Sequence, residues 1–155
     1  MIAALAAASF VAYAELSGSV DPGSARYLID AMHDAEAQGA EALLIRIDTP
    51  GGLLAATRDI VQAELSAHVP VVVWVGPPGA RAGSAGVFVT LAAHVAAMAP
   101  SSNIGAAHPV GIGGGGGEKN SEVETMLKKI ENDTAAFVHG IAERRSRNVD
   151  WAEKA

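Results

Sequence analysis

The 155 residues include no cysteine. Disulfides and thiolate nucleophiles are therefore excluded, although the compartment is left open because many exported proteins also lack cysteine. Positive charge is scarce as well. Eleven Lys and Arg stand against seventeen Asp and Glu, for a formal charge of −6. A chain so charged offers no electrostatic footprint for nucleic acid. No metal-ligand spacing joins any of the five histidines. No Gly-Lys-Ser/Thr follows a glycine-rich turn, which removes the phosphate loop, and no cofactor is implied. The apolar start, "MIAALAAASFVAYA", falls short of the roughly 20 residues needed to cross a bilayer. It also lacks the basic segment of a full signal peptide. Residues 1–10 read as the remnant of an export segment running into a first strand near "SFVAYAEL". A buried first strand alone is the alternative.

What the chain does have is an apolar half and the length of one domain with a real core. Strand-like and helix-like segments alternate, which implies an α/β layered fold. "DPGSARYLIDAMHDAEAQG" predicts a helix capped by Asp21, with Pro22 in its first position and Gly39 ending it. "ALLIRID" predicts a strand and "LLAATRDIVQAELSA" a second helix. "PVVVWV" reads as a strand buried on both faces. "SAGVFVTLAA" reads as a buried helix and "HVAAMAP" as a short strand. The five glycines from Gly113 to Gly117 predict a mobile loop. A capping box at Ser121 and Glu124 then opens a long helix reaching about Arg145. Its apolar stripe is Leu127, Ile130, Thr134, Phe137, Val138 and Ile141. The end, "VDWAEKA", stops inside a helix-like pattern with neither cap nor turn, as in a domain cut from a longer protein.

Two glycine-rich turns carry the chemistry. "DTPGG", Asp48 to Gly52, follows a strand and opens a helix. Backbone N–H groups bared at such a turn bind anions, including the oxyanion of acyl transfer. The bland alternative is a tight turn and nothing more. "AGSAG" sets Ser84 between a strand and a helix. The helix N-terminus favours developing negative charge, and the N–H of Ala85 can donate to an oxyanion. The nucleophile-elbow motif is approached but not met, because Ala82 stands where its first glycine belongs. The alternative makes Ser84 a helix N-cap.

"LIRIDTPGGL", "VPVVVWVGPPGARAGSAGVF", "NIGAAHPVG" and "IAERRSRN" together resemble the N-terminal protease domain of the NfeD family, from about Val11 onward. Those are membrane-bound serine proteases of the Clp class, often encoded beside stomatin-like proteins. The resemblance implies the ClpP/crotonase-like spiral of β-β-α units over 11–155. It implies Ser84 as nucleophile, with Gly51, Gly52 and the N–H of Ala85 as oxyanion hole. It further implies a hydrophobic peptide substrate, a stomatin-like membrane partner and a homodimer or larger oligomer. With the export reading of residues 1–10, the domain is expected at the membrane on its extracytoplasmic side.

A serine hydroxyl needs a base. The family resemblance suggests a lysine on the helix after the loop, lowered in pKa by an apolar site. At the matching place this sequence has "FVHGIA", hence His139. Lys128 and Lys129 lie earlier on that helix, beside the loop, and His108 in "GAAHPVG" resembles the position of the ClpP histidine. His33, His68 and His94 read as ordinary structural or surface residues. Three functions follow. The first is a serine endopeptidase acting through a Ser84 acyl-enzyme, with the Gly111–Gly117 loop as a lid. The second is a catalytically inactive scaffold for a membrane partner. The third is a crotonase-like acyl-CoA enzyme, which lacks a convincing carboxylate acid-base here.

Overall fold

The structure is a computed structural model. It describes residues 9–107 and 121–155, with side chains from 125 onward in the second stretch. The export remnant expected over residues 1–8 lies outside the described residues. So do His108, the glycine run and the side chains of the Ser121–Glu124 capping box.

The chain runs β1 (Val11–Ser17), α1 (Pro22–Ala37), β2 (Ala42–Asp48), α2 (Leu54–Ser66), β3 (Val71–Val75), β4 (Arg81–Gly83), α3 (Ala85–Ala92), β5 (Val95–Met98), β6 (Asn103–Gly105), α4 (Ser121–Arg144) and α5 (Val149–Ala152). β1, β2, β3 and β5 form a parallel sheet in that spatial order. Parallel neighbours cannot be joined by tight hairpins, so a helix crosses between each pair. β4 and β6 form a second, two-stranded parallel sheet. An isolated parallel bridge from Thr49 to Ala82 carries the first layer into the second.

Local chemistry explains the helix ends. Asp21 accepts from the N–H of Ser24 at 2.8 Å and Ser24 accepts from the N–H of Asp21 at 2.9 Å, a reciprocal cap. Gly39 takes φ +69°. The N–H of Gly39 then reaches the Glu36 carbonyl and that of Ala40 reaches the Ala35 carbonyl. These two bonds close α1 in the Schellman pattern, where a left-handed residue is needed and glycine supplies it without a Cβ penalty.

Ala14, Leu16, Leu43, Ile45, Ile47, Val71, Val73 and Val75 point to the covered face and are buried against α1, α2 and α3. Every residue of α3 is buried. One side of it faces this core. The other, through Val87, Phe88 and Leu91, joins Val138, Ile141 and Ala142 of α4 and Ala152 of α5 in a second apolar cluster.

Two expectations need correction. β3 is buried on one face only, since Val72 and Trp74 are half-exposed. The register aligns Tyr13, Leu44 and Val72 with Val95 across that second face, where Tyr13 and Val95 are exposed. An unbroken valine run reports strand propensity as much as burial. The apolar stripe of α4 is also only partly used. Thr134, Val138 and Ile141 are buried, whereas Leu127 is exposed. The C-terminal half of α4 docks, through Phe88 stacked on Phe137 at 5.5 Å and Arg58 lying 4.3 Å over the Phe137 ring.

The corner where α4 ends is polar. Arg145 donates from Nε to the Ala92 carbonyl at 2.6 Å and from a terminal nitrogen to the Glu64 carbonyl at 2.8 Å. Arg147 donates to the Ala93 carbonyl at 3.0 Å. These guanidinium groups satisfy carbonyls left open at the C-terminal ends of α2 and α3. Beside them the Glu64 carboxyl is fully buried, and neither oxygen has a hydrogen-bond partner among the described residues. Burial pushes its pKa well above the usual carboxylate range, and the charge of Arg145 only partly opposes this.

A carboxyl held neutral in the fold stabilises it below the ordinary Glu pKa. That contribution is lost as pH rises through the raised value, because the unfolded chain ionises first. Stability should therefore fall from pH 5 towards pH 8. Glu64→Gln should flatten this part of the profile and raise the unfolding midpoint at pH 8, as read by thermal melts across pH.

Candidate active site

The "DTPGG" turn and the Ser84 turn, some three dozen residues apart in sequence, lie against each other. Thr49 makes the join. Its N–H donates to the Arg81 carbonyl at 2.8 Å and its carbonyl accepts from Gly83 at 2.9 Å. This pairing runs the end of β2 alongside β4 and brings Pro50 and Gly51 under Ser84. The approach is close enough to dictate residue size. A Cβ on Gly83 would lie 3.0 Å from the Pro50 carbonyl oxygen, and one on Gly86 would lie 2.7 Å from the Thr49 methyl. The small residues around Ser84 are therefore steric requirements of a backbone passing beneath them.

Ser84 itself sits at φ 49°, ψ −110°, a region that residues with a Cβ rarely adopt. Such a conformation costs about 1–3 kcal/mol and persists only where neighbours over-determine it. Here the N–H of Ser84 is held by the Gly105 carbonyl at 2.9 Å, and its carbonyl accepts from Val87 at 2.9 Å. β6 thus clamps the turn from one side and the first turn of α3 from the other. The Ser84 hydroxyl makes no cap bond to α3. The helix-cap alternative therefore fails: the residue is half-exposed and its side chain satisfies no N–H of the helix it precedes. The strand before it is β4, which was not expected from sequence. "ARAG" is too short and too small to read as a strand, and only its pairing with β6 makes it one.

Gly51 has φ +114°, and a Cβ there would stand 2.5 Å from the Ser84 Cβ and 3.1 Å from its Oγ. Its N–H donates to Thr49 Oγ1 at 3.0 Å, so that group is already engaged. The N–H groups of Gly52 and Ala85 have no acceptor among the described residues. Gly52 is fixed from behind, because Val20 accepts from Leu53 and donates to the Gly51 carbonyl, each at 2.9 Å. Of the two glycines expected as donors, only Gly52 keeps a free N–H.

The candidate bases are spread out. His139 hydrogen-bonds Glu153 through Nδ1 at 2.7 Å and pairs with Glu143 through Nε2 at 3.4 Å. The Glu153 hydrogen bond, supported by both carboxylate charges, raises its pKa. Its ring is thus committed to α5 and favoured in the protonated form, the wrong state for a base. Lys128 and Lys129 are exposed on the undocked half of α4. His108 lies outside the described residues. The structure brings none of the described candidates to the Ser84 hydroxyl. The remaining histidines have ordinary surroundings. His94 Nδ1 accepts from the Val71 N–H at 3.1 Å, the His68 N–H donates to Glu36 at 2.6 Å, and His33 is exposed. No group of three or more His, Asp or Glu side chains suited to a metal occurs among the described residues.

Sequence reasoning missed Thr49, which is wholly buried and bonds three segments at once. Its place between a strand and Pro50 was the available signal. It missed Glu64 too, which has the look of an ordinary helix carboxylate.

A strained serine on a strand-to-helix turn, packed against a second glycine turn that keeps the Gly52 N–H free among the described residues, within a parallel spiral, is the arrangement of a ClpP-like domain. ClpP1 from Listeria monocytogenes shares this fold at a TM-score of 0.69 and 20% identity, over 92% of this chain and 77% of that one. The chain belongs to the family described as NfeD1b, N-terminal domain, whose model matches residues 10–153. It is 39% identical over 120 residues to the membrane-bound protease PH1510 of Pyrococcus horikoshii, covering 77% of this chain and 26% of that protein. The chain therefore spans about a quarter of that relative's length. A solved serine-to-alanine mutant of 1510-N, a membrane-bound stomatin-specific protease, superimposes with a TM-score of 0.85 at 33% identity, over 96% of this chain and 70% of that one. A lysine-to-alanine mutant in complex with a substrate peptide gives 0.83 at 34%, over 94% and 65%. Among the described residues, no helix is long and apolar enough to cross a membrane.

Because Gly51 combines positive φ with contact to Ser84, Gly51→Ala should cost more than the conformational penalty alone. Gly79 also has positive φ, but a Cβ there would meet nothing within 4 Å. Gly79→Ala is expected to cost about 1–2 kcal/mol. Gly51→Ala should add about 1–3 kcal/mol of overpacking to that. Denaturant titration of the two variants measures the difference.

Proposed function

We propose that residues 11–155 are the protease domain of a membrane-associated serine endopeptidase with Ser84 as nucleophile. The observation that carries this reading is the strained Ser84, its hydroxyl uncommitted, held against the "DTPGG" turn. Ser84 Oγ attacks the peptide carbonyl while a base takes its proton. The oxyanion that develops accepts from the N–H groups of Gly52 and Ala85, donors in place before the reaction begins. The amine leaves with the proton, and water then releases the acyl group from Ser84.

A lysine on the first turns of α4 is the best-supported base. In the 1510-N structures the exchanged residues are a serine and a lysine. Counted forward from Ser84, the interval between them ends at Thr125. That is one helical turn before Lys128 and Lys129, and several turns before His139. The glycine run falls inside this interval, where insertion shifts the count without disturbing a packed element. Lys129 is assigned as the base, with Lys128 its neighbour and His108 the remaining candidate. The substrate is a hydrophobic peptide segment. A stomatin-like membrane protein as partner rests on kinship with the stomatin-specific protease. Assembly as a homodimer or larger oligomer and an extracytoplasmic location complete the proposal, the location resting on the export reading of residues 1–10.

Ser84→Ala should abolish both fluorophosphonate labelling and peptide cleavage. The unfolding midpoint should barely move, since the hydroxyl makes no hydrogen bond among the described residues. Cleavage at the wild-type rate by this variant removes Ser84 as nucleophile. A wild-type chain that takes no label supports the inactive scaffold instead.

Lys129→Ala should slow acylation by about 10²-fold or more, the usual share of general-base catalysis, while His139→Gln leaves it unchanged. The reverse pattern restores the histidine. Loss confined to Lys128→Ala or His108→Ala moves the role to that residue.

A further inference from the structure

Thr49 is 0% exposed and its hydroxyl makes three contacts. It donates to the Gly18 carbonyl at 2.6 Å, accepts from the Gly51 N–H at 3.0 Å, and lies 3.4 Å from the Gly51 carbonyl. Its backbone pairs with Arg81 and Gly83, the residues that lead into Ser84. One residue therefore ties the end of β1, the glycine turn and the approach to the serine.

We propose that Thr49 is a positioning residue of the oxyanion hole, a reading that rests on Ser84 being the nucleophile. Its hydroxyl engages the Gly51 N–H and thereby fixes the Pro50–Gly51 peptide plane, one plane before the one that carries the Gly52 N–H. With Gly51 at φ +114° and pressed against Ser84, this bond acts together with the Val20 N–H, which holds the Gly51 carbonyl at 2.9 Å, to set the direction of the Gly52 N–H. The same hydroxyl anchors the turn to the Gly18 carbonyl, so the turn cannot drift from the sheet without breaking two hydrogen bonds. Thr49 touches no reacting atom. It acts through the placement of Gly52, and the Gly51 N–H serves the scaffold and not the oxyanion. A hydroxyl is required for this. A Thr-to-Val exchange keeps the shape and removes both bonds, whereas serine keeps the hydroxyl and loses only the methyl that leaves no room for a Cβ at Gly86.

The test compares wild type, Thr49→Val and Thr49→Ser as the full chain, by fluorophosphonate labelling rate, peptide kcat and KM, and thermal midpoint. Thr49→Val should lose about 10²-fold in labelling rate and kcat, as when an oxyanion donor is removed, with KM little changed. Thr49→Ser should recover most of the loss. A folded Thr49→Val that acylates at the wild-type rate overturns the proposal. So does a rise in KM at constant kcat, which marks a substrate contact. If the valine variant does not fold, amide NMR of the phosphonylated wild type decides. The Gly52 and Ala85 amide protons should move downfield on phosphonylation while that of Gly51 stays in place, and a moving Gly51 amide overturns the assignment. Wild type that takes no label overturns the nucleophile reading itself, and this proposal with it.

Discussion

The pairing of Thr49 with β4 is the constraint on which the rest depends. Two backbone hydrogen bonds, to Arg81 and from Gly83, bring together segments that the parallel topology would otherwise leave at separate strand ends. Once they meet, the space between them admits no extra carbon. Gly51, Gly83 and Gly86 are required where a Cβ would strike Ser84, Pro50 or Thr49. The strained backbone of Ser84 follows from the same contact. The chain must leave β4, pass over the glycine turn and enter α3 within one residue, with Gly105 holding its N–H.

That strain is supported by burial elsewhere. α3 is buried along its whole length between two apolar clusters, so its first turn cannot relax to relieve Ser84. Each buried aliphatic side chain contributes about 1.5–3 kcal/mol, against about 1–3 kcal/mol for one unfavourable backbone conformation. The core outweighs the strain easily. Arg145 and Arg147 extend the same logic to α4, whose C-terminal end they fasten to the carbonyls of α2, α3 and the α3–β5 corner. Residues 125–129, which include Lys128 and Lys129, are exposed. The proposed nucleophile and oxyanion donors are thus built on the buried, well-bonded part of the molecule, and the proposed base on an exposed stretch of α4.

Much of the fold was legible in the sequence. Asp21, Pro22 and Gly39 delimit α1 because capping is local chemistry, complete within a few residues. The helices and the four strands of the main sheet were legible for the same reason. The "DTPGG" and "AGSAG" turns were recognisable as candidate anion sites because glycine at a helix start bares N–H groups wherever it occurs. β4 and β6 were not legible, since three-residue strands of small side chains have no periodicity and exist only through each other. The exposed second face of β3 was hidden as well, because a valine run looks the same whether one face or both are covered.

The sequence by itself named the candidate residues, Ser84 with Gly51, Gly52 and Ala85, together with the helices and most of the strands that carry them. Tertiary structure decided their states. It took the Gly51 N–H for Thr49, left that of Gly52 free, denied Ser84 the role of helix cap and committed His139 to Glu153. The Glu64 pKa is pushed up only because tertiary packing takes its carboxyl out of water, an effect that the charge of Arg145 beside it only partly opposes. The physical reason is common to all of these. Residue type fixes what a group can donate or accept, but which partner reaches it depends on segments far away in the chain. Those distances close only when the sheet has formed.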